Sequence, residues 1–86
     1  MLISYSRTFK KMFKKQSVST QDKLEERITM FMENPNYSLL HNHALAGEWI
    51  GCRSINITGD IRAVFEEITA GHVEFIAIGS HSELYS

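Results

Sequence analysis

The fold of this 86-residue chain is decided by its last third, 59-GDIRAVFEEITAGHVEFIAIGSHSELYS-86. Residues 60–69 and 72–78 are rich in β-branched and aromatic side chains, which is typical of strands. Gly71 lies between them and tolerates the positive φ that a tight hairpin turn requires. Apolar residues occur at both odd and even positions of each segment. Both predicted strands should therefore be central in a sheet that is covered on both faces.

The residues before this hairpin predict two further strands and a pair of helices. Residues 2–5 and 48–57 have strand composition, and residues 37–47 form a loop. The second helix is predicted to have its cap at Ser19 and to end before Pro35. The apolar positions with helical spacing are Phe9, Met12 and Phe13 in the first helix and Leu24, Ile28, Phe31 and Met32 in the second. The order β-α-α-β-β-β predicts a single α+β domain, residues 1–86, in which the helix hairpin packs on an antiparallel four-stranded sheet.

Charge is unevenly distributed along the chain, although the net charge is only −1. Residues 1–35 carry seven Lys and Arg against four acidic residues, whereas residues 36–86 carry two against six. Four of the basic residues lie in the first helix: Lys10, Lys11, Lys14 and Lys15. They indicate either a solvated helix face or a surface that contacts RNA or an acidic partner.

No feature of the sequence points to export or to a membrane. Cys52 is the only cysteine, so an internal disulfide is impossible, and no apolar run resembles a signal peptide or a membrane span. We therefore expect a cytoplasmic protein. His41 and His43 have a spacing that occurs in metal sites, but neither a thiolate pair nor an acidic cluster accompanies them, so no metal is expected.

A few polar residues stand out beside the predicted hairpin, and each has a structural alternative. Asp60 could complete a turn, and Arg62 on a central strand could form a salt bridge with a glutamate. His81 could cap the chain after the last strand, and His43 could be an ordinary loop residue. Tyr85 could either pack in the core or stack on a base.

Four segments of the chain are distinctive: 43-HALAG-47, 49-WIGCR-53, 60-DIR-62 and 78-IGSHSELY-85. In these segments the chain resembles the RelE/ParE superfamily of toxins, and most closely its YafQ branch. The resemblance implies a RelE-like fold and a small endoribonuclease that cuts messenger RNA in the ribosome with histidines and an aspartate, without a cofactor. It also implies a cognate antitoxin that is encoded next to the toxin. Toxin–antitoxin complexes of this kind are expected to assemble into higher oligomers.

The resemblance assigns roles to individual residues. His81 and His43 would supply acid–base chemistry, Asp60 would support them, and Arg62 would stabilise the phosphate. Asn56 occupies the position of a further YafQ-like histidine. The residues predicted to bind substrate are Tyr85, Arg53 and Asn56. Two alternatives remain open: a ParE-like inhibitor of DNA gyrase, which has no need of the polar cluster, and a catalytically degenerate interaction domain.

Overall fold

The computed structural model describes residues 1–85, which form a mixed sheet with helices on both of its faces. The α+β class predicted from the sequence is confirmed. In chain order the elements are β1 (Leu2–Tyr5), α1 (Arg7–Lys14), α2 (Val18–Glu33), β2 (His43–Ala44), β3 (Arg53–Asn56), β4 (Ile61–Thr69), β5 (His72–Ser80) and α3 (His81–Tyr85). Short 3₁₀ turns at Ser38–Leu40 and Gly47–Trp49 flank β2.

The predicted hairpin forms the centre of the sheet. Antiparallel β4 and β5 are joined through residues 70–71, with Thr69 opposite His72. Gly71 has a φ of +82°, a conformation that side chains with a Cβ rarely adopt. The turn composition therefore predicted the hairpin correctly.

The sheet differs from the prediction in strand number and direction. It has five strands in the order β1-β5-β4-β3-β2, and β1 pairs parallel to β5 rather than antiparallel. Ser6 caps α1 directly after β1, accepting a hydrogen bond from the Phe9 amide at 3.0 Å. Because the chain leaves the sheet through a helix, no hairpin turn constrains the direction of β1.

The strand predicted at 48–57 is shorter, and the preceding loop contains a strand of its own. Gly47 and Gly51 both have positive φ, +64° and +90°, and the chain between them turns instead of extending. Only Arg53–Asn56 remains as β3. His43 and Ala44, predicted to lie in a loop, pair antiparallel with it as β2.

The helix hairpin forms as predicted, with a different cap. Ser17, not Ser19, caps α2: its Oγ accepts from the Thr20 amide at 3.2 Å. The earlier serine lets the helix begin at Val18 and pairs an amide that would otherwise lack an acceptor. The predicted stripe of Leu24, Ile28 and Phe31 is buried, whereas Met32 is 54% exposed.

Both faces of the central strands are covered. On the helix side, Phe31 packs edge-on against Phe65 and Phe75 at ring distances of 5.0 and 5.5 Å. On the other side, Cys52, Val64, Ala77 and Leu84 form a smaller cluster beneath α3. Within residues 1–85 no helix is long and apolar enough to cross a membrane.

Candidate functional site

The sheet face beneath α3 carries polar side chains in two cross-strand rows. Residues opposite one another in a sheet project to the same face, so each row presents its side chains together. In register from strand to strand, the rows are His43, Ser54, Val64 and Ala77, and then Asn56, Arg62 and Gly79.

A pocket of about 240 Å³ lies on this face. Its walls come from the loop after β2, from β3, from β4 and from α3. The lining residues are His43, Leu45, Ala46, Ser54, Arg62, His81 and Tyr85. The fold therefore brings together four residues that the sequence predicted to act in one site: His43, Arg62, His81 and Tyr85.

The short helix α3 is fixed at its start by reciprocal hydrogen bonds. The Ser80 amide donates to Glu83 Oε1 at 2.8 Å, and the Glu83 amide donates to Ser80 Oγ at 3.2 Å. Hydrogen bonding of the Glu83 carboxylate by the Ser80 backbone and side chain, with the charge of Lys15, holds the pKa of that carboxyl below its ordinary value. A Cβ on Gly79 would lie 3.3 Å from Glu83 Oε1, so glycine permits the close approach of α3 to β5.

A tryptophan holds the other end of α3. Trp49 Nε1 donates to the Leu84 carbonyl at 2.8 Å, and both residues pack in the cluster around Cys52. A five-residue helix has no stability of its own in water. The orientation of α3, and with it the position of His81, therefore depends on these contacts.

His81 and Tyr85 lie one helical turn apart at the edge of the pocket. Their ring centroids are 4.7 Å apart in an edge-to-face arrangement. His81 is exposed to solvent, whereas the Tyr85 hydroxyl is buried and has no hydrogen-bond partner among residues 1–85. The His81 side chain is thus accessible both to solvent and to a molecule bound in the pocket.

The His43 imidazole is held in one tautomer when neutral. Its Nδ1 lies 2.9 Å from the His41 carbonyl oxygen, which can only accept, so Nδ1 carries the proton. The Nε2 lone pair is then free to take a proton. This is the form that a general base requires.

Arg53 anchors the segment before His43 instead of lining the pocket. Its Nε donates to Asn42 Oδ1 at 2.8 Å, and Asn42 in turn donates to the Pro35 carbonyl at 3.1 Å. Because adjacent strand residues point to opposite faces, Arg53 and Ser54 project away from each other. Arg53 does not line the pocket, and its contacts fit a positioning role; contact of Arg53 with substrate stays a prediction.

The Arg62 guanidinium is bound to backbone carbonyls of the turn between β3 and β4. It donates to Thr58 at 3.0 Å, Ile61 at 3.2 Å and Gly59 at 3.3 Å. Three of the five guanidinium N–H groups are used in this way, which leaves two for a ligand. Among residues 1–85 no carboxylate lies within 4 Å, so the alternative of a salt bridge to glutamate is not observed there.

Asp60 and Asn56 do not line the pocket. Asp60 is exposed in the turn, where its amide is 3.3 Å from Thr58 Oγ1, which is the structural alternative noted from the sequence. Asn56 is half-buried opposite Arg62, and its Oδ1 has no partner within the described part of the chain. Any role of these two residues remains a prediction.

The four lysines predicted in the first helix are not equivalent; three lie in α1, and Lys15 caps its C-terminus. Lys10 and Lys14 line an apolar groove of about 540 Å³. The groove lies on the helix side of the sheet, opposite the face that α3 covers. Its other lining residues are Tyr5, Phe9, Phe13, Leu24, Glu25 and Ile28. Lys15 instead lies close enough to Glu83 for its charge to lower the pKa of that carboxyl.

Sequence reasoning missed three residues of the site region. The Ser80-x-x-Glu83 spacing is a capping-box signature and would have revealed Glu83. Nothing local in the sequence indicates the hydrogen bond from Trp49 to the Leu84 carbonyl. Ser54 belongs to no recognisable motif. Its place in the pocket follows from the register of β3 with β2 and β4, which the local sequence does not indicate.

Comparison with known proteins agrees with this architecture. The family model described as "Bacterial toxin of type II toxin-antitoxin system, YafQ" matches residues 1–86. The crystal structure of YafQ from E. coli strain BL21(DE3) superposes with a TM-score of 0.82 at 24% identity, covering 98% of this chain and 97% of that one. YafQ in the E. coli DinJ–YafQ toxin–antitoxin complex gives 0.78 at 24% identity, covering 98% and 96%.

A more distant toxin shares the same fold. The YoeB/ParE toxin from Agrobacterium tumefaciens superposes with a TM-score of 0.76 at 19% identity, covering 94% of this chain and 99% of that one. A search of curated protein sequences finds no match. Because the family model spans the whole chain, this protein belongs to the YafQ family of bacterial toxins from type II toxin–antitoxin systems.

Proposed function

We propose that this toxin is a metal-independent, ribosome-dependent endoribonuclease that cuts messenger RNA. The observation that carries the proposal is the shared pocket of two histidines and an arginine, His43, His81 and Arg62. Imidazole side chains titrate near neutral pH and suit acid–base catalysis, and a guanidinium suits a phosphate.

The arrangement supports cleavage by the neighbouring 2′-hydroxyl of the RNA. His43 Nε2 takes the proton of the 2′-hydroxyl, whose oxygen attacks phosphorus while the bond from phosphorus to the 5′ oxygen breaks. His81, in its protonated form, gives a proton to that leaving oxygen. The products are a 2′,3′-cyclic phosphate and a 5′-hydroxyl, and the two remaining N–H groups of Arg62 stabilise charge on the phosphate oxygens.

The donor set of the pocket supports chemistry without a metal. Its polar side chains are imidazole, guanidinium and hydroxyl groups, and no carboxylate lines it within residues 1–85. Mg²⁺ and Ca²⁺ are usually held by carboxylate oxygens. Asp60 would have to act from outside the pocket, by contacting the bound RNA or a histidine after a rearrangement.

The charge of the protein supports dependence on the ribosome. With a net charge of −1, the protein lacks the broad cationic surface that holds RNA unaided. The ribosome would position the messenger, and orientation of that kind can contribute several kcal/mol. Tyr85 would stack on a base at the edge of the pocket, as aromatic residues do in single-stranded RNA recognition.

Cleavage of ribosome-bound messenger by His81→Ala tests the proposal. We expect a loss on the order of 10²–10⁴-fold with the fold intact. His72→Ala is the matched control, because His72 lies at the opposite end of β5, 2.9 Å from Ser4 Oγ. A His81→Ala protein that cuts messenger at the parental rate would overturn the role of His81. Wild-type protein that arrests growth without cutting messenger would overturn the nuclease and favour gyrase inhibition. Equally fast cleavage of naked RNA would overturn ribosome dependence alone.

We propose that the antitoxin covers the groove between α1 and α2. Apolar rings and aliphatic side chains form the groove, and Lys10 and Lys14 lie one helical turn apart along it. This chemistry fits an amphipathic antitoxin helix with acidic residues beside its apolar stripe. The toxin–antitoxin complex of E. coli YafQ with DinJ supports an antitoxin as the partner.

Two charge-reversal pairs on one helix distinguish antitoxin binding from RNA binding. Lys10→Glu with Lys14→Glu should weaken antitoxin binding about tenfold or more and flatten its dependence on salt. Lys11→Glu with Lys15→Glu changes the net charge equally and should leave that affinity nearly unchanged. Because Lys15 lies toward α3, the second pair should instead reduce messenger cleavage. Equal effects of the two pairs on the antitoxin would contradict the assignment.

A further inference from the structure

Ser54 is a buried polar residue without a hydrogen-bond partner. Its relative exposure is 0%, and no donor or acceptor among residues 1–85 pairs with its Oγ. Most buried side-chain hydroxyls in proteins are paired, because leaving one unpaired costs stability. A retained unpaired hydroxyl is a sign of a group that is satisfied by a ligand or by water.

The position of Ser54 indicates what kind of ligand would satisfy it. It is the register partner of His43 on one side and of Val64 on the other, and it lines the same pocket as Arg62. The Tyr85 hydroxyl, also buried and unpaired among the described residues, lines that pocket too.

Several hydrogen-bond donors thus line the pocket, and the side-chain nitrogen that accepts there is the uncharged Nε2 of His43. Two hydroxyl groups and two free N–H groups of Arg62 surround the same space. A ligand with several acceptor oxygens and a negative charge complements this set, and water supplies no charge for the arginine. The volume, about 240 Å³, is below that of typical pockets for drug-sized ligands and suits a small group.

We propose that Ser54 is a phosphate ligand of the pocket, its hydroxyl donating to a non-bridging oxygen of the RNA phosphodiester while Arg62 binds from the side. The identification of the phosphodiester as RNA rests on the proposed function; the oxoanion chemistry rests on the donors alone. Ser54 forms no covalent bond and transfers no proton in this role.

Phosphate binding to Ser54→Ala tests this inference independently of nuclease activity. Inorganic phosphate and a dinucleoside monophosphate blocked by a 2′-O-methyl group are titrated into the protein, and the NMR signals of the pocket residues report binding. We expect both dissociation constants to rise about tenfold, which corresponds to about 1.4 kcal/mol. The melting temperature should stay the same or rise, because removing an unpaired buried hydroxyl removes its desolvation cost.

Ser4→Ala is the inverse control. Ser4 Oγ has partners, His72 Nε2 at 2.9 Å and Glu74 Oε1 at 3.2 Å, and it lies on β1 at the far edge of the sheet. This variant should lose stability and keep phosphate affinity. Ser54→Cys, which keeps the shape but offers only a weak donor, should bind with intermediate affinity and guards against a packing defect in the alanine variant.

The outcomes separate this inference from the proposed nuclease. Wild-type protein that fails to bind either probe, or Ser54→Ala protein that binds both as tightly as wild type, overturns the role of Ser54 whatever the cleavage result. Weaker binding by Ser54→Ala supports it, even if wild-type protein cuts no messenger, in which case only the nuclease proposal fails.

Discussion

Replacing Trp49 by Phe should loosen α3 while leaving most of the packing beneath it intact. The change removes one hydrogen bond, from the indole N–H to the Leu84 carbonyl at 2.8 Å, and keeps an aromatic ring in the cluster around Cys52. A hydrogen bond of this kind contributes about 0.5–1.5 kcal/mol net. The ratio of docked to undocked α3 should therefore fall by about two- to tenfold.

Hydrogen exchange measures this shift directly. Backbone amides of residues 83–85 should exchange about two- to tenfold faster in Trp49→Phe, whereas amides of β4 should exchange at the parental rate. Messenger cleavage should fall only if the undocked state of α3 is populated enough to weaken binding of the messenger. The amide exchange rate is therefore the primary measurement. Trp49→Ala also removes apolar contact area, worth up to about 1.5–3 kcal/mol, and should produce the larger effect in both assays.

A null result in the phenylalanine variant would refute this reasoning. If α3 amides exchange at the parental rate and cleavage is unchanged, the indole hydrogen bond does not hold His81 in place. If β4 amides also exchange faster, the tryptophan stabilises the whole domain rather than α3.

Four further predictions follow from the same contacts. Leu24→Ala should lower the free energy of unfolding by about 2–5 kcal/mol, as measured by denaturant unfolding, and little change would mean that the stripe of α2 is not core. Arg62→Lys should impair cleavage kinetics, since an ammonium cannot reproduce both the turn bonds and a two-pronged phosphate contact; parental rates would argue against the phosphate role. Asn56→His should raise the cleavage rate by placing an imidazole opposite Arg62 on the pocket face, and an unchanged rate would exclude proton transfer there. Because the folded pKa of Glu83 is lowered, its carboxylate should stabilise α3 above the ordinary pKa of a glutamate and lose that effect as acid protonates it; amide exchange in Glu83→Gln should show no such acid transition.

Local signals in the sequence predicted the elements and the face that carries the site. Gly71 marked the hairpin, and the spacing of Leu24, Ile28 and Phe31 marked the buried side of α2. The resemblance assigns His81 and Arg62 to one site, and both side chains line one pocket.

Features set by distant partners were not predictable in this way. The direction of β1 depends on its pairing with β5, and no turn residue encodes it. The burial of Ser54 arises only when β3 comes into register with β2 and β4. Such features depend on contacts between residues far apart in sequence. Hydrophobic periodicity and secondary-structure propensity describe only local sequence and do not predict these contacts.

The parallel pairing of β1 has a consequence for when the toxin becomes active. Leu2 lies opposite His72, so β1 can join the sheet only after β5, the last strand, has been made. Contacts of such long sequence separation slow folding, because the loop between them must be closed first. The pocket needs still later residues, since His81 and Tyr85 follow β5. During synthesis the residues of both helices, with their lysines, are made well before those of α3, so the helices proposed to bind the antitoxin precede the last residues of the pocket.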